Sequence, residues 1–198
     1  MSVRCAQLFV ISAPSGAGKT SLIHALVSST DSISASVSHT TRDMRPGERN
    51  GVDYFFVDVP SYDKMVARDE FLEHAHVFGN LYGTSRPAVD RALATGHDVV
   101  LEIDWQGARR IRALYPQAVT VFILPPSIAE LRKRLESRGE DRPEVIERRM
   151  REAAAEISHH PEYEFLVVNH VFETALDDLR AIVRATRLRT ALQRPAAK

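Results

Sequence analysis

The sequence has little of what would mark a secreted, membrane-spanning or nucleic-acid-binding protein. Cys5 is the only cysteine among 198 residues, which excludes an internal disulfide and a multi-cysteine zinc site. The 26 basic and 26 acidic residues cancel, so no overall electric field favours a nucleic acid or an anionic membrane. No apolar run approaches the ~20 residues needed to span a bilayer. We expect a cytoplasmic protein in which any anion site is local.

Four short segments have the composition of strands that are covered on both faces of a parallel sheet. They are AQLFVIS (6–12), DVVLEI (98–103), AVTVFIL (118–124) and EFLVVN (164–169). The first one is too short for a secretory signal and leads directly into a glycine-rich loop. Helical patterns separate the four, including SIAELRKRL with its capping-box pair Ser127 and Glu130 and a last helix over roughly 174–193. This alternation predicts an α/β fold with a three-layer α/β/α core around a parallel sheet.

Two regions interrupt the alternation of strands and helices, and each is predicted to form a smaller lobe on that core. SASVSHTT, VDYFFVDV and FLEHAHVFG look like strands without full crossover helices between them. Residues 35–85 are therefore predicted to form a small β lobe, mixed or antiparallel, with the mixed form taken as the prediction. Residues 126–157 surround the polar stretch SRGEDRP and are predicted to form a helical projection. The core is then made of residues 1–34, 86–125 and 158–198. Two lobes on one core indicate a cleft that closes.

The segment APSGAGKT (13–20) departs from the Walker A phosphate-binding pattern G-x-x-x-x-G-K-[ST] at its first position, where Ala13 replaces glycine. A methyl group is tolerated there if φ is negative, whereas Gly16 and Gly18 lie where the chain wraps most tightly. The strand before and the helix after favour phosphate binding over an ordinary turn. Lys19 then reaches the β- and γ-phosphates and Thr20 ligates Mg²⁺. The loop residues predicted to bind the nucleotide are Ala13, Pro14, Ser15, Gly16, Ala17, Gly18, Lys19, Thr20 and Ser21.

A second polar set follows in SVSHTTRDMRPGERNGVDYFF and FLEHAHVFGNLYGTS. Arg42 and Arg45, with the hydroxyl of Tyr54 nearby, suit a phosphate monoester, because guanidinium forks match its oxygens. Glu73 is a carboxylate in an apolar strand pattern, and an unpaired inward carboxylate is costly. Outside this pattern, the two arginines are explained equally well as surface charges paired with Glu48.

Taken in order, these motifs resemble those of the guanylate kinases, which phosphorylate GMP with ATP. The resemblance runs from about residue 6 to residue 190 and includes the phosphate loop, VSHTTR, RPGE, EFLEHA, YGTS, EIDWQGA, FILPPS and RLESRG. It implies a P-loop kinase core that uses ATP with Mg²⁺ as phosphoryl donor and GMP as acceptor. It implies no tightly bound organic cofactor, no nucleic acid and no membrane. Use of dGMP and a homo-oligomeric state are left open.

The resemblance also implies roles for individual residues. It places four side chains around the GMP phosphate: Arg42, Arg45, Tyr54 and Tyr82. It places four around the guanine: Ser38, Glu73, Thr84 and Asp104. It implies a closing lid that carries Arg134, Arg138 and Arg149, and an adenine contact from Asn169. The residues implied to act in catalysis are Lys19, Arg42, Arg138 and Arg149.

The chemistry of guanine agrees with this placement independently. Its N1–H and N2 groups donate to a carboxylate such as Glu73, and Ser38 can donate to O6, whereas adenine would leave the carboxylate facing a lone pair. A site that pairs every polar group rejects a mismatched analogue by roughly 10⁴-fold or more. Asp104 has a second interpretation, as the cap of the helix that begins near Trp105.

The sequence departs from the family pattern at three places and leaves two other functions open. Besides Ala13, Glu102 stands where relatives often carry aspartate, which makes it a candidate Mg²⁺ ligand with one extra methylene, and His170-Val171 replaces a more acidic pair. Exposed ion pairs with nearby glutamates are the alternative explanation for the lid arginines. A kinase of a ribose bisphosphate should lack the guanine set. A scaffold module for phosphorylated peptides typically lacks the ATP loop and the lid arginines, so the presence of Lys19, Thr20 and the lid arginines argues against that function.

Overall fold

The computed structural model describes residues 3–77, 79–137 and 143–194. Arg138, one of the predicted catalytic residues, lies outside the described residues. The elements of the first half are β1 (Val3–Arg4), β2 (Leu8–Ser12), α1 (Lys19–Ser28), β3 (Ile33–Ala35), β4 (His39–Thr40), β5 (Phe55–Phe56), α2 (Val59–Ala67), β6 (Phe71–Val77) and β7 (Asn80–Ser85). Those of the second half are α3 (Arg86–Ala94), β8 (Asp98–Glu102), α4 (Trp105–Leu114), β9 (Val119–Leu124), α5 (Ile128–Ser137), α6 (Pro143–Ile157), β10 (Phe165–Val168), α7 (Phe172–Arg187) and β11 (Gln193–Arg194), with short 3₁₀ helices at His160–Glu162 and Thr190–Leu192.

Five parallel strands form the central sheet, in the order β10–β9–β2–β8–β3. The central strand β2 is buried along its whole length, and Phe9 pairs with Val100 on one side and Val119 on the other. Strands covered on both faces are expected to be apolar throughout. The four predicted core strands are confirmed, with ends that differ by no more than two residues.

Helices cover both faces of this sheet. Successive β2 side chains point to opposite sides, so an apolar strand makes both faces apolar and both need cover. One apolar cluster joins the sheet to α1 and α7 and includes Phe9, Ile11, Leu22, Leu26, Leu176 and Leu179. A second cluster joins it to α3 and α4 and includes Leu8, Val10, Val89, Leu101 and Ile111. Each fully buried side chain of this kind contributes roughly 1.5–3 kcal/mol. The predicted three-layer α/β/α architecture is confirmed.

A separate four-stranded sheet, in the order β5–β4–β7–β6, forms the smaller lobe. It is mixed, as predicted, since β4 pairs parallel with β5 and antiparallel with β7. Two details differ from the expectation. SASVSHTT divides, so that β3 joins the central sheet and only β4 joins the lobe. The end of VDYFFVDV begins helix α2, because Asp58 caps it by accepting the Ser61 N–H at 2.8 Å and Pro60 suits its first turn.

Helices α5 and α6 form the predicted helical region and share a small core of their own. Ser127 caps α5 by accepting the Glu130 N–H, as the capping-box pattern predicts. The two helices pack through Leu131, Leu135, Ile146, Met150 and Ala153. Along the ranges that the structure describes, no helix is both long and apolar enough to cross a membrane.

The last helix ends earlier than the sequence pattern indicates. α7 stops at Arg187, where the guanidinium Nε donates to the buried Asp98 carboxylate at 2.8 Å. The chain then turns through the second 3₁₀ helix, and β11 pairs antiparallel with β1. Leu192, which the sequence pattern placed in the last helix, instead ends this 3₁₀ helix and is buried.

Candidate active site

The phosphate loop connects the carboxyl end of β2 to α1. Gly16 and Gly18 both have φ of +90°, a left-handed conformation that glycine adopts at little cost. Ala13 has an ordinary negative φ, so its methyl group introduces no strain where the Walker pattern has its first glycine. Gly18 lies at the N-cap position of α1, and the helix therefore directs its positive end into the loop.

The two glycines are also required by their neighbours. A Cβ on Gly18 would lie 2.5 Å from Nδ2 of Asn169, and a Cβ on Gly16 would lie 3.0 Å from atoms of both Leu131 and Leu135. The first distance is shorter than real Cβ contacts allow. Helix α5 and the end of β10 thus hold the loop from behind.

Lys19, Thr20 and Glu102 meet at the start of α1. The Thr20 hydroxyl donates to Oε1 of Glu102 at 2.6 Å. The Lys19 ammonium lies 4.0 Å from the same oxygen and donates to the Ile103 carbonyl at 3.4 Å. A hydroxyl and a carboxylate at the mouth of a phosphate loop are oxygen ligands of the kind that Mg²⁺ prefers.

Two arginines and two tyrosines face the loop from the smaller lobe. Glu48 accepts two bonds from Arg42 Nη2, at 2.7 and 3.0 Å, and one from the Arg45 N–H at 2.8 Å. The Arg42 guanidinium also lies 5.5 Å from the centre of the Tyr54 ring, which itself contacts Tyr82 edge-on at 6.0 Å. Glu48 thus fixes the orientation of Arg42, which keeps further N–H donors because a guanidinium carries five.

Burial raises the pKa of the Tyr54 phenol well above its ordinary value. The hydroxyl is therefore protonated at neutral pH and can donate a hydrogen bond to an anion. This property suits the predicted contact with a phosphate group.

Glu73 and Thr84 form a buried pair on adjacent strands of the lobe. The Thr84 hydroxyl donates to Oε1 of Glu73 at 2.6 Å, and the Glu73 residue is only 4% exposed. The pKa of Glu73 is raised to about 7, chiefly by burial and in part by the nearby Asp104 charge. Oε2 lies so close to Gly107 of α4 that a Cβ there would be 2.7 Å away.

Asp104 caps helix α4, as the second interpretation of the sequence predicted. Its Oδ1 accepts the Gly107 N–H at 2.8 Å, a bond typical of an N-cap aspartate. Its side chain also lines the same cavity as Glu73 and Ser38. The cap therefore leaves the carboxylate at the site.

A single cavity of about 570 Å³ brings most of the predicted residues together. From the phosphate loop its wall includes Ala13, Pro14, Ser15, Gly16, Gly18, Lys19, Thr20 and Ser21; from the lobe it includes Ser38, Arg42, Arg45, Tyr54, Glu73 and Tyr82; it is completed by Glu102, Asp104 and Arg149. Four predicted residues within the described ranges stand outside this wall: Ala17, Thr84, Arg134 and Asn169.

Asn169 and Arg134 stabilise the back of the phosphate loop. Nδ2 of Asn169 donates to the main-chain carbonyl of Ala17 at 2.8 Å, and the main-chain carbonyl of Asn169 accepts from Nη2 of Arg134 at 3.0 Å. Arg134 also pairs with Glu130, 3.5 Å away on the same helix. Their predicted contacts with ATP stay predictions, and His170-Val171 follows Asn169 at the start of α7.

Sequence reasoning missed two residues of the site. Gly107 gives the Glu73 carboxylate room, and the only sequence signal was a glycine inside a helical pattern. Glu156, near the end of α6, lines the cavity and accepts the Ser15 N–H at 3.2 Å. No local signal distinguishes it from the other glutamates of that helix.

A parallel sheet with a phosphate loop at the end of its central strand, facing arginines and a buried carboxylate, defines a P-loop kinase of small phosphorylated molecules. The family model for guanylate kinase matches residues 5–186. The chain belongs to the guanylate kinase family.

Individual relatives agree with this assignment. The guanylate kinase of Alkalilimnicola ehrlichii is 58% identical over 188 residues, which cover 95% of this chain and 93% of that protein. The guanylate kinase of Escherichia coli strain K12 is 56% identical over 189 residues, 94% of this chain and 91% of the relative. A crystal structure of guanylate kinase from Anaplasma phagocytophilum superposes with a TM-score of 0.83 at 34% identity, covering 98% of this chain and 92% of that one.

Proposed function

We propose that the protein transfers the γ-phosphoryl group of MgATP directly to the phosphate of GMP and releases ADP and GDP. The observation that carries the proposal is the shared cavity, because one wall is a phosphate loop and another holds an arginine–tyrosine set with a buried carboxylate. An in-line transfer needs two phosphates to face each other across one space. Membership of the guanylate kinase family supports the same reaction.

On the donor side, the loop amides and the N-terminus of α1 hold the triphosphate, and Lys19 neutralises its terminal charge. Thr20 and Glu102 would hold Mg²⁺, since both present oxygen to the mouth of the loop and already share a hydrogen bond. When bound, Mg²⁺ neutralises charge on the transferred phosphoryl group. Arg42 and Arg149, which line the same cavity, stabilise the charge that spreads over that group during transfer.

On the acceptor side, Arg42, Arg45, Tyr54 and Tyr82 bind the GMP phosphate through N–H and O–H donors. Guanine lies against Glu73, whose carboxylate accepts from N1–H and the N2 amino group. Ser38 donates to O6, Asp104 accepts from the base, and Thr84 holds Glu73 in place from behind. GMP and ATP are the substrates, and the base contacts make selection of GMP over AMP a property of this pocket.

The two lobes divide the work. We assign GMP binding to residues 35–85 and water exclusion to residues 126–157, on a core of residues 1–34, 86–125 and 158–198. The boundary after residue 34 falls inside β3, which belongs to the central sheet. Lid arginines swung towards the phosphates protect ATP from hydrolysis until GMP is bound.

The proposal is tested by measuring GDP formation from GMP and ATP, with AMP, CMP and UMP as alternative acceptors. We expect GDP with GMP and little turnover with the other three. Lys19→Ala should nearly abolish turnover, because it removes the charge nearest the transferred group, while GMP still binds in isothermal titration. Lys64→Ala, on the exposed side of α2, is the matched control and should keep full activity. Loss of GMP affinity in Lys19→Ala would contradict this division of labour.

A further inference from the structure

Glu156 places a carboxylate on the phosphate loop from a distant part of the chain. It lies one residue before the end of α6, and its Oε2 accepts the main-chain N–H of Ser15 at 3.2 Å. The two residues are separated by 141 positions in the sequence. The contact therefore depends on how α6 packs against the core.

The groups around Glu156 have opposing effects on the pKa of its carboxyl. Its pKa is raised to about 7, chiefly by burial and also by the carboxylates of Asp104 and Glu152, against the opposing effects of the Lys19 ammonium and the Ser15 N–H. Arg149, two helical turns earlier on α6, lines the same cavity. Near neutral pH the carboxyl is thus divided between its charged and neutral forms.

The charged form competes with the nucleotide. The proposed function assigns the loop amides to phosphate oxygens, and Lys19 to the terminal phosphates. A main-chain amide has one N–H, and both a phosphate oxygen and this carboxylate can only accept. The same anions also share the Lys19 charge, so an ionised Glu156 beside a bound triphosphate is repelled by it.

We infer that Glu156 is a positioning residue that acts as an internal anion: its ionised side chain competes with the phosphates of the nucleotide for the loop and so sets how tightly the loop binds them. The inference rests on the proposed placement of ATP in the loop. Protonation removes the charge, and the neutral carboxyl, like the glutamine amide, is a weaker competitor for the Ser15 N–H. Nucleotide affinity should therefore decrease as the pH rises through the range in which Glu156 ionises.

The test compares ADP binding to the wild type and to Glu156→Gln by isothermal titration across pH. Glutamine keeps the size of the side chain and a carbonyl acceptor for Ser15 but cannot ionise. At about pH 5.5 the two proteins should bind ADP equally, because the wild-type carboxyl is then mostly neutral. At about pH 8.5 the variant should bind about tenfold more tightly, as expected when one charged competitor for a hydrogen bond is removed. The titration of ADP itself is common to both proteins and cancels in their ratio.

Two further variants sharpen the result. Glu144→Gln removes an exposed carboxylate from the start of the same helix and should leave the affinity ratio at one throughout. Glu156→Ala removes the acceptor as well, and at alkaline pH it should bind ADP at least as tightly as Glu156→Gln. GMP affinity measured in parallel should be the same in the wild type and Glu156→Gln.

The inference is overturned if the ratio of affinities stays flat with pH, or if Glu156→Gln binds ADP more weakly at every pH. Either result with GDP formation intact leaves the proposed function standing. A protein that shows the expected ratio but forms no GDP supports the inference and refutes the proposed function. Failure of wild type and variant alike to bind ADP overturns both.

Discussion

Glu73→Gln should stabilise the protein at alkaline pH, although Glu73 is a proposed guanine contact. Burial, helped by the Asp104 charge, raises the pKa of Glu73 from 4.5 to about 7. An acid whose pKa is higher in the folded than in the unfolded chain contributes stability that is fully present below the unfolded pKa. That contribution is lost as the pH rises through the folded pKa. At about 1.4 kcal/mol per pH unit, the difference between 4.5 and about 7 makes the ionised carboxylate cost about 3 kcal/mol.

Glutamine avoids that cost because it cannot ionise, and its Oε1 still accepts from the Thr84 hydroxyl. In urea unfolding, the two proteins should have nearly equal free energies of unfolding at about pH 4, which lies below the pKa of this carboxyl in both the unfolded and the folded chain. At about pH 8.5 the variant should be more stable by about 1–3 kcal/mol. Glu156 titrates in both proteins, so its contribution cancels in the difference.

The reasoning is refuted if the difference in unfolding free energy is the same at both pH values, because burial would then not oppose ionisation. A functional readout separates the two roles of the side chain. The stabilised variant should have a higher KM for GMP and weaker discrimination against AMP, since an amide can turn to offer a donor to adenine. Unchanged discrimination would mean that the base is recognised by other residues.

Three substitutions of small residues test the site further. Ala13→Gly, which restores the Walker pattern, should change ADP affinity by less than about twofold and lower stability by about 0.4–1 kcal/mol, measured by titration and thermal unfolding. Gly18→Ala should greatly weaken ADP binding in the same titration, because its φ is +90° and the new Cβ would lie 2.5 Å from the Asn169 side chain. Gly107→Ala should raise the KM for GMP about tenfold or more while ADP affinity stays unchanged, since its Cβ would displace the Glu73 carboxylate and cost about the 1–3 kcal/mol of a misplaced buried polar group. Equal GMP kinetics in Gly107→Ala and the wild type would show that Glu73 moves freely.

Much of the core was predictable because its signals are local. A buried strand, a loop with Gly18 and Lys19 and an amphipathic helix follow one another within 25 residues, and each carries its own pattern. The lobe was harder, because the alternation in VDYFFVDV resembles a strand while Asp58 and Pro60 signal a helix start. In the structure the cap prevails, and only Phe55–Phe56 are extended.

The contacts that shape the site between elements were beyond sequence reasoning. The acidic residues of α6 all look like a solvated face in sequence, yet only the fold brings Glu156 to the Ser15 N–H across 141 positions. Gly107 is similar. A Cβ at this position would collide with the Glu73 carboxylate of β6, an element far from it in the chain. The pairing partner of a charge is set by the tertiary structure, whereas periodicity and capping are set by neighbouring residues and can be recognised in the sequence.

Asp104 connects the two carboxyl groups of the cavity whose pKa values are raised. Burial is the largest cause of the raised pKa of about 7 at both Glu73 and Glu156, and the Asp104 charge is a smaller cause at both. With guanine placed as proposed, its N–H donors favour ionised Glu73, so GMP affinity should increase as the pH rises through about 7. With phosphate in the loop as proposed, ionised Glu156 is disfavoured, so ADP affinity should decrease over the same range. One titration range should thus have opposite effects on the two proposed substrate sites.

Asp104→Asn tests this connection without removing the helix cap, because an asparagine oxygen can also accept the Gly107 N–H. Removing the charge should move the midpoints of both pH profiles to lower pH, relative to the wild type with the same nucleotides. GMP affinity itself should weaken, since the residue is a proposed guanine contact, so the midpoint and not the absolute affinity is the readout. If only the GMP profile moves, Glu156 is governed by Glu152 and Lys19 instead, and the two carboxylates titrate independently.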